Sequence, residues 1–162
     1  MAMTIKTDGL DHLAEMLAQL ENRAQEVASG ALYEGAGIVA DALNNGIRSI
    51  QTEPFKYATN GQMRMPSPQE KAALERKVGI AKFRKNGSEV DTLIGISYDS
   101  GYTQISGKPK SVAVIARSIN SGTSFMKKQP VFRRAKSQSQ NAAKAAIVAK
   151  AEEMFDEIIN GK

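Results

Sequence analysis

Apolar residues recur at three- and four-residue steps through the first quarter of the chain: Leu10, Leu13, Leu17, Leu20, Ala24, Val27, Ala31, Ile38 and Ala42. That period lays a stripe along one face of a helix, and a stripe this long has to be covered. Near the C-terminus Ala143, Ile147, Ala151, Met154 and Ile158 form a second stripe in an Ala-rich segment, and small residues let a partner helix approach closely. The two segments are therefore expected to cover each other. Thr7 or Asp8 can cap the start of the first helix, and Asn44-Asn45-Gly46 can loosen or end it. Gly30, Gly35 and Gly37 interrupt its pattern. Each costs an exposed helix interior about 0.8–1 kcal/mol relative to Ala, so they point to a bend or to close helix packing ahead of a functional hinge.

Between the long helices the pattern changes. Pro54, Asn60-Gly61, Pro66 and Pro68 punctuate Ile50 to Pro68, which reads as a long, mobile loop. Ser67 or Pro68 then opens a short helix, with Glu70 in its first turn and Arg76 near its end, as the helix dipole favours. "KVGIAKFR" and "EVDTLIGISY" flank Lys85-Asn86-Gly87-Ser88, and Asn-Gly tolerates the positive φ of a tight hairpin turn. Thr92, Ile94, Ile96 and Tyr98 give that hairpin one buried face. "DSGYTQISGKPK" reads as a second loop. Val112, Ile115 and Ile119 suggest a short helix stopped at Gly122, with a strand as the alternative because Val112 and Val114 also alternate. The last helix takes Pro130 into its first turn, where a missing N–H costs nothing, and stops at Asn160-Gly161. The expected fold is α+β: two long helices, N- and C-terminal, packed on a small antiparallel sheet, in one domain spanning residues 1–162.

The charge of +5 is unevenly distributed. No Asp or Glu occurs from Ser100 to Ala151, while Lys108, Lys110, Arg117, Lys127, Lys128, Arg133, Arg134, Lys136, Lys144 and Lys150 all fall there. The flanks lean acidic, and the last eleven residues hold Glu152, Glu153, Asp156 and Glu157 against Lys162. Segregation of this kind suits contact with an oppositely charged neighbour or a polyanion.

Catalysis finds little to work with. The chain has no Cys, so a disulfide framework and a thiolate nucleophile are both excluded. Its single His, His12, stands near the start of the first helix with no nucleophile in the local pattern. The acids at the C-terminus read as a solvated helix face, and Gly35-Ala36-Gly37 lies inside a helical pattern, the wrong context for a dinucleotide loop. Neither an enzyme nor a cofactor is expected. Lys6 and Asp8 occupy the place where a signal peptide needs an apolar run, and no segment approaches the ~20 apolar residues of a membrane span, so a soluble intracellular product is expected. Nucleic-acid binding is the second possibility, carried by the acid-free run. Few aromatics accompany it: Phe125 and Phe132 alone stand out as a stacking pair.

At "ARSINSGTSFMKKQPVFRRA" the chain resembles the tail-completion or minor tail component family of long-tailed bacteriophages, of lambdoid type. In that family a Gly-Thr turn after a short helix leads into a Pro-Phe-x-x-x-Ala start of the last helix. Gly122-Thr123-Ser124 and Pro130 to Ala135 match it in order and spacing. "DGLDHLAEMLAQLE" and "LIGISYDSGY" extend the likeness along the chain. Departures occur at Asn120, where many members carry an acid, at Pro130-Val131-Phe132, where the aromatic is displaced, and at Thr59-Asn60-Gly61-Gln62-Met63, a vestige of a Thr-Gly-x-Leu element. The resemblance implies a structural protein of the virion neck, present in the host cytoplasm during assembly. It implies a homo-oligomeric ring, a hexamer in the virion, that joins the head connector to the tail terminator and tail tube and contacts passing DNA non-specifically. Neither membrane nor cofactor takes part. The interface residues it implies are Arg117, Gly122, Thr123, Ser124, Lys127, Lys128, Pro130, Phe132, Arg133 and Arg134, with the Gly-Thr-Ser turn shaping the approach to the last helix and the cations meeting an acidic neighbour or DNA.

Overall fold

The computed structural model describes residues 8–59, 61–86, 89–97 and 101–159, with the side chains of the first helix described from Arg23 onward. Two long helices, α1 (Asp8–Arg48) and α4 (Val131–Ile159), run antiparallel, with Gly30 opposite Met154, Gly35 opposite Ala143 and Ile147, and Gly46 opposite Val131. Glycine is what permits the approach at Gly35, and at Gly30 it leaves room for the flexible Met154 side chain. A Cβ on Gly35 would lie 2.6 Å from Ile147 Cδ1 and 3.1 Å from the Ala143 carbonyl oxygen, and one on Gly30 would lie 2.8 Å from Met154 Sδ. Gly37 has no such neighbour and shares none of this role.

The expected stripe holds from Val27 and Ala31, both buried, but Ala24 is exposed. Leu10, Leu13, Leu17, Leu20 and His12 lie outside the described side chains, and Thr7, Tyr98 and the Asn160-Gly161 stop lie outside the described residues. Asn44-Asn45-Gly46 does not end α1. Leu43 and Ile47 on either side of it are buried and Gly46 packs 3.5 Å from Val131 Cβ, so burial outweighs the weak local preference. The helix closes only at Ser49 and Ile50, whose amides bond back to Asn45 and Ile47.

At that end α2 (Pro68–Glu75) and α3 (Val112–Ser121) pack in, and one core forms from Leu43, Ile47, Ile50, Leu74, Ile105, Val112, Ile115, Ile119, Met126, Val131 and Ala135. The molecule is thus a packed head from which the α1–α4 pair extends. α2 carries a complete capping box: Ser67 Oγ accepts from the Glu70 amide and Glu70 accepts from the Ser67 amide.

The antiparallel part is divided into three two-stranded ribbons. β1 (Gly79–Ile80) pairs with β4 (Ile94–Gly95), and β2 (Arg84–Asn86) with β3 (Glu89–Asp91), as the nested base and tip of the expected hairpin. Three residues on one arm face two on the other between base and tip, a bulge closed by the Ala81 amide on the Leu93 carbonyl and by Thr92 Oγ1 on the Ala81 carbonyl. The turn at Gly87-Ser88 lies outside the described residues. Thr92, Ile94 and Ile96 are half-buried, and Ile96 packs against the core.

The expected second loop is instead a hairpin, β5 (Tyr102–Ile105) with β6 (Lys108–Ser111). Ser106 and Gly107 both take positive φ, 50° and 74°, the two-residue turn whose twist suits paired strands. Ile105, buried, draws the ribbon onto the core. Among the described residues, 50–67 form a loop without helix, one residue shorter than expected because Pro68 already opens α2, and its far end is fastened to the head: Pro66 and Ser67 are buried and Arg64 forms a parallel bridge with Met126.

Candidate interface at the junction of the third and fourth helices

The segment from Arg117 to Ala135 links α3 to α4, and the side chains of Asn120, Thr123 and Gln129 are spent in holding that link. α3 stops at Gly122, whose φ of 76° no β-carbon residue takes readily and whose Cβ would lie 2.9 Å from Lys128 Cβ. Thr123 closes the turn: its amide donates to the Met126 carbonyl, and its Oγ1 accepts from the amides of Met126 at 3.0 Å and Phe125 at 3.4 Å. Ser124 sits exposed at the tip while Met126 plunges into the core.

Two further clamps were not legible beforehand. The Gln129 carboxamide grips the backbone of Gln51 at both ends, accepting from its amide and donating to its carbonyl at 2.9 Å each, and the Gln129 amide donates to Ile119. Asn120 Oδ1 accepts from the Phe132 amide at 3.2 Å, so α3 caps α4 across the turn. Pro130 stands immediately before α4, one place earlier than expected, and its carbonyl accepts from the Arg134 amide. Asn120 occupies the position where the resemblance places an acid, and an amide oxygen accepts there as a carboxylate would.

Beneath the turn lies a buried ion pair. Arg64 donates from both terminal nitrogens to both Glu70 oxygens at 2.6 Å, donates to the Met65 carbonyl at 3.1 Å, and stacks 5.0 Å from the Phe55 ring centre. Its backbone is stitched to the turn, with its amide on the Phe125 carbonyl and its carbonyl accepting from the Lys127 amide, each at 2.9 Å. Burial pushes the Glu70 carboxyl up, but hydrogen bonds from Arg64 and from the Ser67 amide, with the Arg64 charge, outweigh it and hold the group below its ordinary value. The S-x-x-E cap was readable in Ser67 and Glu70; nothing in the local sequence marked Arg64 as the buried partner.

The cations face outward. Arg117, Lys127, Lys128, Arg133 and Arg134 are all exposed. Lys127, Lys128 and Arg134 line one cleft of about 300 Å³ together with Ser49, Gln51, Met65, Gln129, Pro130 and Val131. Arg117 and Arg133 stand apart from it, and Phe132 turns to a different, apolar cavity of about 750 Å³ against β1 and β4. The amides of Val131 and Phe132 are already spent on Gln129 and Asn120, so an anion in the cleft would be held by side chains. Among the described residues no cluster of His, Cys, Asp and Glu could hold a metal, and no helix is long and apolar enough to cross a membrane. The comparisons with known proteins yield no match: no family model, no curated protein and no solved structure matches the chain.

Proposed function

We propose that this chain is a structural protein of a phage virion neck, a tail-completion or head-tail joining component that assembles as a homo-oligomeric ring between the head connector and the tail tube. The observation that supports this most is the division of labour at the α3–α4 junction. Polar groups there are spent on one another, in the Thr123 turn, the Gln129 clamp and the Asn120 cap, while Lys127, Lys128 and Arg134 are presented outward around one cleft. A rigid frame carrying exposed like charges suits recognition of an acidic partner better than chemistry on a small molecule. Deleting the chain from a phage that encodes it tests the reading: filled heads and finished tails should accumulate unjoined, and normal yields of infectious particles would overturn it.

The same cleft also favours a second reading, a nucleic-acid-binding accessory protein of a phage or prophage. Such a protein would bind labelled duplex with log affinity falling against log salt at about 0.9 per phosphate contact. A neck component would bind duplex feebly and without sequence preference.

A further inference from the structure

Helix α4 carries its charges against its own dipole. Its first turn holds Arg133 and Arg134, followed by Lys136 and preceded by Lys127 and Lys128, with no acid. Its last turn holds Asp156 and Glu157, behind Glu152 and Glu153, with no base. A helix is positive at its N-terminus and negative at its C-terminus, so each end of α4 adds like charge to like. The chain does little to relieve this. The ion pairs among the described residues are Lys56–Glu53, Arg64–Glu70, Arg84–Asp91 and Lys150–Glu153, and none includes a cation of the basic cleft. At the acidic end the hydrogen bond from Lys150 to Glu153, with desolvation opposing it and the charges of Glu153, Glu157 and α1's Glu34 adding to it, holds the Lys150 ammonium above its ordinary value.

Each end also has an apolar component. Val148, Glu152 and Phe155 fall at four- and three-residue steps on one exposed face of α4, and Phe155 stands in the open between acids. The basic cleft is lined by Met65, Pro130 and Val131 as well as by Lys127, Lys128 and Arg134. The two features complement each other in charge and in polarity. They cannot meet within one molecule, since Arg134 and Phe155 are roughly 30 Å apart along the helix axis at 1.5 Å per residue.

We infer that the acidic end of α4, with Phe155 as its anchor, seats in the Lys127–Lys128–Arg134 cleft of a second copy. The contact joins unlike surfaces, so every copy keeps one free end of each kind, and repetition closes a ring or extends a filament. This specifies the surfaces of the self-assembly proposed above, and it rests on that part of the reading.

Sedimentation of the full chain at about 50 mM and about 500 mM NaCl, where screening differs strongly, tests it. Wild type should associate, and more weakly at high salt. Lys127→Glu/Lys128→Glu/Arg134→Glu and Glu152→Lys/Asp156→Lys/Glu157→Lys should each remain monomeric alone and associate when mixed, because the mixture restores opposite charges at every contact. Phe155→Ala should weaken association roughly 10- to 30-fold, as loss of a central aromatic anchor does. It serves as the reading if a charge-reversed chain loses its helical circular dichroism. A wild type that is monomeric at both salts would overturn both the contact and the self-assembly. Association of either reversed variant alone, or no rescue on mixing, would overturn the contact while leaving self-assembly standing.

Discussion

Substituting Gly35 by Ala should destabilise the protein although it improves helix propensity. In an unobstructed helix interior the change gains about 0.8–1 kcal/mol. Here the new methyl would meet the Ile147 branch, with Cδ1 at 2.6 Å, while the Ala143 carbonyl oxygen at 3.1 Å blocks a sideways escape. Since one obstacle is backbone, α1 and α4 must part locally, and overpacking of this kind costs about 1–3 kcal/mol. With the obstruction at the upper end of that range, the net loss is about 1–2 kcal/mol. For a domain of this size that lowers Tm by roughly 3–6 °C. Two controls set the scale. Gly37→Ala meets nothing within 4 Å and should gain the propensity term, raising Tm by about 2–4 °C. Gly30→Ala meets only the flexible thioether of Met154 and should stay within about 0.5 kcal/mol of wild type. Thermal melts followed at 222 nm read all three, and Ile147→Ala in the Gly35→Ala background should show a favourable coupling of at least about 0.5 kcal/mol. A Gly35→Ala protein as stable as Gly37→Ala would refute the close-packing account.

Three further outcomes follow from the junction and the loop. Glu70 has a folded-state carboxyl held below its ordinary 4.5, so its contribution is complete above that value and is lost as pH falls from there through the lower folded value. Urea midpoints should therefore decline from pH 5 to pH 3, and Glu70→Gln, by stranding the buried Arg64 charge, should cost about 3–5 kcal/mol at neutral pH and flatten that slope; an unchanged acid profile in the variant counts against the pair. Asn120→Ala should cost about 1 kcal/mol through loss of the α4 cap while Asn120→Asp retains it, measured by chemical unfolding, and equal stability of the two would show the cap to be idle. Trypsin should cut after the exposed Lys56 before it cuts the β2–β3 hairpin, and should spare the buried Arg64; a loop as resistant as the hairpin would show it is held along its whole length.

The helices were legible because a 3.6-residue apolar period survives translation into structure, and Gly30 and Gly35 could be read as close-approach positions for the same reason. The second hairpin was not. Its strands contain Lys108, Pro109 and Lys110, poor strand formers, and its turn is Ser-Gly, where Ser must take a positive φ that few side chains accept. The ribbon forms because Ile105 gains burial in the core. Arg64 was hidden by its setting: an Arg among prolines reads as solvated, and only the fold brings Glu70 to it. At the junction the basic character could be read, but its convergence could not. Arg133 and Arg134 lie about 100° apart around a helix of 3.6 residues per turn, so one joins the cleft and the other does not. Gln129 and Asn120 act across contacts with Gln51 and Phe132 that no linear pattern encodes.

The function proposed for this chain is exercised by position in a virion rather than by chemistry. Electron cryomicroscopy of particles carrying the chain with a bulky, functional tag tests it most directly. Extra density ringing the head-tail junction is the predicted result; tagged particles without that density, or infectious particles from which the chain is absent, would contradict it.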